Sequence, residues 1–162
     1  MTPTLRPLAL GDVTAVHDWA RLPESCRYQA WGPNTHEQTE AYVRAAVAAP
    51  PNRLVFAVLV DGDVVGSAEL KLRGPTTGEI TYAVHPRLWG RGTATAAARE
   101  LLRMGFDEHG LHRVWATCDP RNLASAAVLR RIGMRYEGRM RGTAYVRDGW
   151  RDSDLYAVLA DD

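Results

Sequence analysis

Only two cysteines occur in the 162 residues, Cys26 and Cys118, and they lie far apart. Such a pair neither frames a disulfide-rich secreted domain nor matches a zinc-ligand spacing; it reads as two free thiols in a reducing cytosol. Long apolar runs are missing as well. The longest clean one, LVFAVLV over residues 54–60, is far below the ~20 residues of a membrane span. The opening MTPTLRPLAL has no cationic segment followed by an apolar stretch of signal-peptide length, so a cytoplasmic location without a membrane partner is expected. Neither sign of charge dominates. The formal net charge is +1, arginine is heavily favoured over lysine, and no basic run marks a nucleic-acid face. His17, His36, His109 and His112 share no metal-like spacing and read as solvated surface, so no metal is expected.

What is present suits an ordinary globular domain, with 46% hydrophobic and 24% charged residues. One domain over residues 1–162 is expected, long enough to remove roughly two-thirds of its unfolded surface from water. TLRPLA (4–9) reads as a first strand, and Asp12 is placed to cap a helix over VTAVHDWAR with its carboxylate. Thr35 and Gln38 stand at capping-box spacing before a helix with Tyr42, Val43, Ala46 and Val47 on one face, stopped by Pro50 and Pro51. RLVFAVLVDGDVVGSAELKL (53–72) signals a hairpin around Asp61-Gly62. A loop, RGPTTG (73–78), precedes the strand EITYAVHP (79–86). Next come a helix carrying Ala94, Ala97, Ala98, Leu101 and Gly105, the strand HRVWATCDP (112–120), and a short helix from Asn122 closed by Gly133. MRYEGRMRG (134–142) and WRDSDLYAVLA (150–160) are two final strands. The order βααβββαβαββ predicts an α/β fold, a mixed central sheet with helices on both faces.

RLWGRGTATAAARE, residues 87–100, sets Gly90 and Gly92 directly before a strong alanine-rich helix. A tight strand-to-helix turn needing only glycine's backbone freedom is one reading. A nucleotide loop is another, but the third small residue of the dinucleotide fingerprint is missing and no Gly-Lys-Ser/Thr follows. The third is an anion cradle. Unpaired amides and the positive dipole end of a helix hold phosphate oxygens, glycines let them approach, and Arg87 and Arg91 could add charge. A ligand bearing a pyrophosphate fits that chemistry.

The stretch RLWGRGTA (87–94) resembles the Gln/Arg-x-x-Gly-x-Gly/Ala signature of GNAT acyl-CoA-dependent N-acyltransferases. Residues 79–142 as a whole are similar to the core of the RimJ/RimL-like branch, with its E-I-G-Y, W-G-x-G-x-A, N-x-x-S and G-F-x-x-E-G pieces in order. YQAWGPNTHEQTEAYV and DGWRDSDLYAVL resemble the branch's terminal segments, so the likeness covers nearly the whole chain. It implies a GNAT fold, acetyl-CoA as cosubstrate, and a possible homodimer. Tyr82, Ala83, Val84 and His85 fall on the splayed strand whose free backbone pairs with pantetheine. The cradle amides fall on Gly90, Arg91, Gly92, Thr93 and Ala94, and Asn122 falls where the pantetheine arm is contacted, or where it simply caps a helix. The chain departs from the pattern at Thr81, Met134 and Leu129, the last standing where many GNAT enzymes carry a proton-donating tyrosine. Ser125, matching the serine of the branch, becomes the candidate acid.

The implied reaction is direct attack of an amine on a thioester. Freeing an α-amine of pKa ~8 at pH 7 costs about 1 kcal/mol, whereas a lysine near ~10.4 costs between about 4 and 5. Glu79, matching the glutamate of E-I-G-Y, is the candidate base, directly or through water, with Glu69 as runner-up. The amide of Val84 or of a neighbour is the expected oxyanion donor. Tyr28, Trp31 and Tyr145 fall in segments that line the acceptor cleft of the branch, although core packing explains each as well. The acceptor is expected to be a protein or peptide N-terminal amine or a small amine. A non-catalytic acyl-CoA-binding or regulatory domain is the alternative.

Overall fold

The structure, a computed structural model, describes residues 2–162. Seven strands form one sheet: β1 (Thr4–Pro7), β2 (Arg53–Val60), β3 (Asp63–Leu72), β4 (Thr77–Val84), β5 (Arg113–Cys118), β6 (Arg135–Val146) and β7 (Gly149–Leu159). Their order across the sheet is β1-β2-β3-β4-β5-β7-β6. Every pairing is antiparallel except β4 with β5. Among the described residues there are five α-helices: α1 (Val13–Ala20), α2 (Pro23–Cys26), α3 (His36–Val47), α4 (Thr93–Arg103) and α5 (Leu123–Arg131). A π-helical turn over Met104–Glu108 extends α4.

Strand alternation divides the core in two. On β2, Val58 and Val60 join Ala97, Leu101 and Leu129 of α4 and α5. Val55 and Ala57 join Val16, Trp19, Val43 and Ala46 of α1 and α3. Since neighbouring strand residues point to opposite faces, helices cover both faces of the mixed sheet. The predicted hairpin forms at Asp61-Gly62, both at positive φ (53° and 88°), as a two-residue turn matched to strand twist requires. The Thr35–Gln38 capping box also forms, with reciprocal bonds of 3.2 and 2.9 Å.

Four expectations are corrected. Asp12 makes no side-chain cap to α1. Its carboxylate instead takes two 2.8 Å bonds from the Arg6 guanidinium and one from the Ala9 amide, folding the end of β1 against the helix start. A short helix, α2, appears where none was expected, begun by a proline at its first turn. His17 is not solvated; its Nδ1 lies 2.9 Å from the fully buried Thr39 hydroxyl. Finally, β6 runs on to Val146, leaving only Arg147-Asp148 as a turn, so Tyr145 is a strand residue opposite Trp150 rather than a loop residue.

Candidate active site

The parallel pairing of β4 with β5 is brief: Thr77 with Arg113, Gly78 with Val114, Glu79 with Trp115. Past that point both strands continue without pairing to each other, β4 to Val84 and β5 to Cys118. A wedge therefore opens in the middle of the sheet. On its β4 side, His85 donates to the Val65 carbonyl at 2.7 Å, which places odd-numbered residues in hydrogen-bonded pairs with β3. Antiparallel alternation then turns the backbone groups of Tyr82 and Val84, not those of Ala83 and His85, into the wedge. The Val84 carbonyl is taken by the Trp89 indole at 2.9 Å, leaving its amide.

At the mouth of the wedge the glycine stretch forms an open cradle. Gly90 and Gly92 hold φ of 75° and 82°, the left-handed region that disfavours side chains. A Cβ built at either would meet nothing within 4 Å, so their backbones face free space. Gly92 is the N-cap of α4, and the amides of the first turn point out with no partner inside the helix. A cavity of about 500 Å³ joins this cradle to the wedge. Its wall includes Tyr82, Ala83, Val84, Gly90, Gly92, Thr93, Ala94, Asn122 and Ser125. Arg87 and Arg91 are exposed and do not line it. His85 is engaged elsewhere: Nδ1 accepts from the Arg87 amide at 3.1 Å and Nε2 lies 3.1 Å from Asp18. Two cations reach the wall, Arg27 just after α2 and Arg131 from the last turn of α5, and sequence reasoning missed both. The signal for Arg131 was the Arg130-Arg131 pair at a helix C-terminus.

Deeper in the wedge lies a polar cavity of about 60 Å³. Tyr28, Gln29, Tyr82, Asn122 and Ser125 line both cavities and mark their junction. There the Tyr82 hydroxyl and Ser125 Oγ share a 3.2 Å hydrogen bond. Burial pushes the Tyr82 phenol up to about 12, so it holds its proton. Asn122 Oδ1 accepts from the Ser125 amide at 3.1 Å; the asparagine caps α5 and orients the serine. The tyrosine side chain was missed because the sequence pattern pointed only to its backbone.

Other candidates stand apart. Glu79 lines neither cavity, and Arg73 binds its Oε2 through Nε at 2.8 Å and through a second guanidinium nitrogen. Glu69 is buried, with Arg53 on both oxygens at 2.7 and 3.3 Å and Lys71 at 3.4 Å. Trp31 packs against the α1–α3 core, and Tyr145 stacks edge-on with Trp150 at an exposed site 5.4 Å between centroids. Of the three expected acceptor aromatics only Tyr28 reaches the cavities. The small cavity also brings in Cys118, Asp119 and Arg151. Burial pushes the Cys118 thiol up to about 11. Burial pushes the Asp119 carboxyl up too, yet the bonds from Arg121 and nearby guanidinium charge outweigh it and the net shift is downward. Among the described residues, Ser25 Oγ and Arg151 Nε are buried polar atoms without a hydrogen-bond partner, and both residues wall the cavities. No group of three or more His, Cys, Asp or Glu able to hold a metal occurs among the described residues. No helix there is long and apolar enough to cross a membrane.

A split parallel pair with a helix N-terminus at its mouth defines a class, and comparison with known proteins gives the same answer. Residues 4–135 match the acetyltransferase (GNAT) domain family. The chain belongs to the GNAT family of acetyltransferases. It is 29% identical over 98% of its length to YnaD of Bacillus subtilis (strain 168), an uncharacterized N-acetyltransferase, covering 94% of that protein. A GNAT-family acetyltransferase from Bacillus anthracis superposes with a TM-score of 0.89 at 30% identity, covering all of this chain and 97% of that one. RimL, a ribosomal L7/L12 α-N-protein acetyltransferase solved in complex with coenzyme A, superposes with a TM-score of 0.88 at 20% identity over 99% of this chain and 96% of that one, a likeness of fold.

Proposed function

We propose that this GNAT chain is a RimJ/RimL-like N-acetyltransferase that moves an acetyl group from acetyl-CoA to a primary amine by direct attack. The residues present suit that donor: an open glycine cradle with free helix amides, Arg131 beside it, and unpaired β4 backbone leading inward. When bound, acetyl-CoA supplies the activated acyl group. The amides of Gly90 to Ala94 would hold its phosphates, Tyr82 would present its free backbone to the pantetheine arm, and Asn122, on the same cavity wall, would lie beside that arm.

The observation that carries the reading is the Tyr82–Ser125 contact at the junction of the two cavities. Ser125 Oγ holds the proton that the departing sulfur needs, and the Tyr82 hydroxyl, kept protonated by its burial, steadies and replenishes it. The Val84 amide, aimed into the wedge, is the donor for negative charge on the acyl oxygen. On the other side of β4, Glu79 acts as base through water; Arg73 engages only its Oε2. Glu79 and Tyr82 differ by an odd number of strand positions and face opposite sides of the sheet, so base and acid do not compete for one proton.

The wall favours an acceptor that needs little deprotonation. Its carboxylates are Glu24, exposed at the rim, and Asp119, tied to arginine. An α-amine of pKa ~8 loses its proton at pH 7 for about 1 kcal/mol, within reach of a water-linked base. The acceptor is therefore a peptide or protein N-terminus or a small α-amine, and the unpartnered Ser25 Oγ and Arg151 Nε are groups that a polar acceptor can satisfy. A coupled screen for CoA release over peptides, amino acids, polyamines and aminoglycosides tests this. Turnover with α-amines supports it; CoA binding without thiol release from any amine would make the chain a binding domain instead.

A further inference from the structure

We propose that the β6–β7 turn is a latch, in which Arg147 positions the loop of residues 26–32 and thereby sets how the acceptor, and not acetyl-CoA, is held. The acceptor part of this rests on the amine-acceptor reading above. The loop carries Tyr28 and Gln29, which line both cavities. It doubles back on itself: a Cβ at Gly32, whose φ is 75°, would come within 2.9 Å of the Cys26 Cβ. Such a loop has little regular pairing of its own, and its carbonyls need donors.

Arg147 supplies most of them. One terminal nitrogen donates to the carbonyls of Trp31 at 3.0 Å and Gly32 at 2.7 Å. The other donates to Gln29 at 3.1 Å and to Cys26. Arg151, on β7, donates to the carbonyl of Tyr28. Five carbonyls between residues 26 and 32 are thus held by two guanidiniums from the last hairpin.

The same turn is tied to the end of β5. Asp148 accepts from Arg121 Nη1 at 2.8 Å, while the rest of that guanidinium grips Asp119 at 2.7 and 3.0 Å. Arg121 also lies over the Tyr28 ring, 5.7 Å from its centroid. Three segments far apart in the chain therefore close into one ring of contacts. Arg147 and Asp148 line neither cavity, so they act through the loop and are positioning residues.

The test compares full-length wild type with Arg147→Ala, Arg147→Lys and Asp148→Asn. Amide hydrogen exchange in residues 26–32 should quicken at least tenfold in both Arg147 variants, since one ammonium cannot reach four carbonyls as a planar fork does. Asp148→Asn, which removes the charge from the Arg121 link and leaves Arg147 in place, should quicken it two- to threefold. The acetyl-CoA dissociation constant, by isothermal titration, should stay within twofold. With an alanine-initiated hexapeptide as acceptor, KM should rise at least fivefold while kcat changes less than twofold. Unchanged exchange, or a parallel loss of acetyl-CoA affinity, would overturn the latch. If Arg147→Ala fails to fold, Arg147→Lys and Asp148→Asn decide the matter. If the wild type releases CoA with no amine of the screen above, the amine-acceptor reading fails, and exchange and titration still judge whether Arg147 holds the loop.

Discussion

The proposed donor half and the proposed acceptor half of the cleft are built by different means. The donor half is almost continuous in sequence, from Tyr82 to Thr95, and works through backbone: two glycines at positive φ, the amides of a helix start, and a strand edge left without a partner. The acceptor half gathers residues 25–32, 119–122 and 147–151 and holds them together with side chains, chiefly Arg121, Arg147 and Arg151. Backbone recognition tolerates change at most side chains, so a shared ligand suits it. Side-chain scaffolding can be rebuilt by single substitutions, and specificity belongs there. The strongest tests of this division act on one half and watch the other.

The largest effect is expected from Gly92→Glu. The position has φ 82° and opens onto the cradle, so the substitution adds left-handed strain and sets a carboxylate where phosphates belong. Acetyl-CoA affinity by isothermal titration should fall about a hundredfold or more, because like charges meet at a site built for anions. Exchange of the 26–32 amides should not change. Unaltered affinity would remove the cradle from the donor site. Next comes Ser125→Ala, for which the single-turnover rate should fall roughly a hundredfold with acetyl-CoA binding intact, the usual scale for a lost proton donor. Tyr82→Phe keeps the ring and loses the shared hydrogen bond, and about a tenfold drop is expected. With the Tyr82 phenol pushed up to about 12, no alkaline loss of activity from its ionisation should appear below pH ~10. A normal rate in Ser125→Ala would clear the serine of acid catalysis.

The same division explains what could be read from the chain in advance. Gly90, Gly92 and the alanines after them announce a helix start with bare amides, and Asp61-Gly62 and Thr35–Gln38 announce a turn and a cap, because each depends on neighbours in sequence. Asp12 misled for the opposite reason. Its carboxylate could serve the helix amides or a distant cation, and Arg6, paired at 2.8 Å, wins by charge. That pairing holds the Asp12 carboxyl below the usual carboxylate range. Its contribution to stability is therefore present above the ordinary aspartate pKa and lost as pH falls through the lower folded value. The Arg147 fan could not be read at all. Its four acceptors are backbone carbonyls more than a hundred residues away, and no residue type marks a carbonyl as needing a donor.

Glu79→Gln tests how much base assistance the cleft supplies. If Glu79 takes the proton through water, turnover should fall several-fold, and most at low pH, where more of the amine arrives protonated. A pH–rate profile of unchanged shape would leave deprotonation to solvent. Because Glu79 sits at the last register that β4 pairs with β5, with its side chain 13% exposed, glutamine should fit without moving the strand. Acetyl-CoA affinity should then be untouched.

The smallest effects distinguish backbone from charge within the donor half itself. Arg87 and Arg91 flank the glycines, but both are exposed and neither lines the cavity, whereas Arg131 does. An exposed guanidinium attracting a phosphate gives about 0.2–1 kcal/mol, so Arg131→Ala should weaken acetyl-CoA roughly two- to fivefold. The loss should shrink as salt rises, since charges in solvent are screened within about 10 Å at 0.1 M. Arg91→Ala should change affinity less than Arg131→Ala at every salt concentration. The reverse order would mean that the flanking arginines swing onto the ligand, and that the cradle depends on side-chain charge as the acceptor wall does. The predicted order keeps the donor half a site made chiefly of backbone, with Arg131 adding charge from the far end of α5.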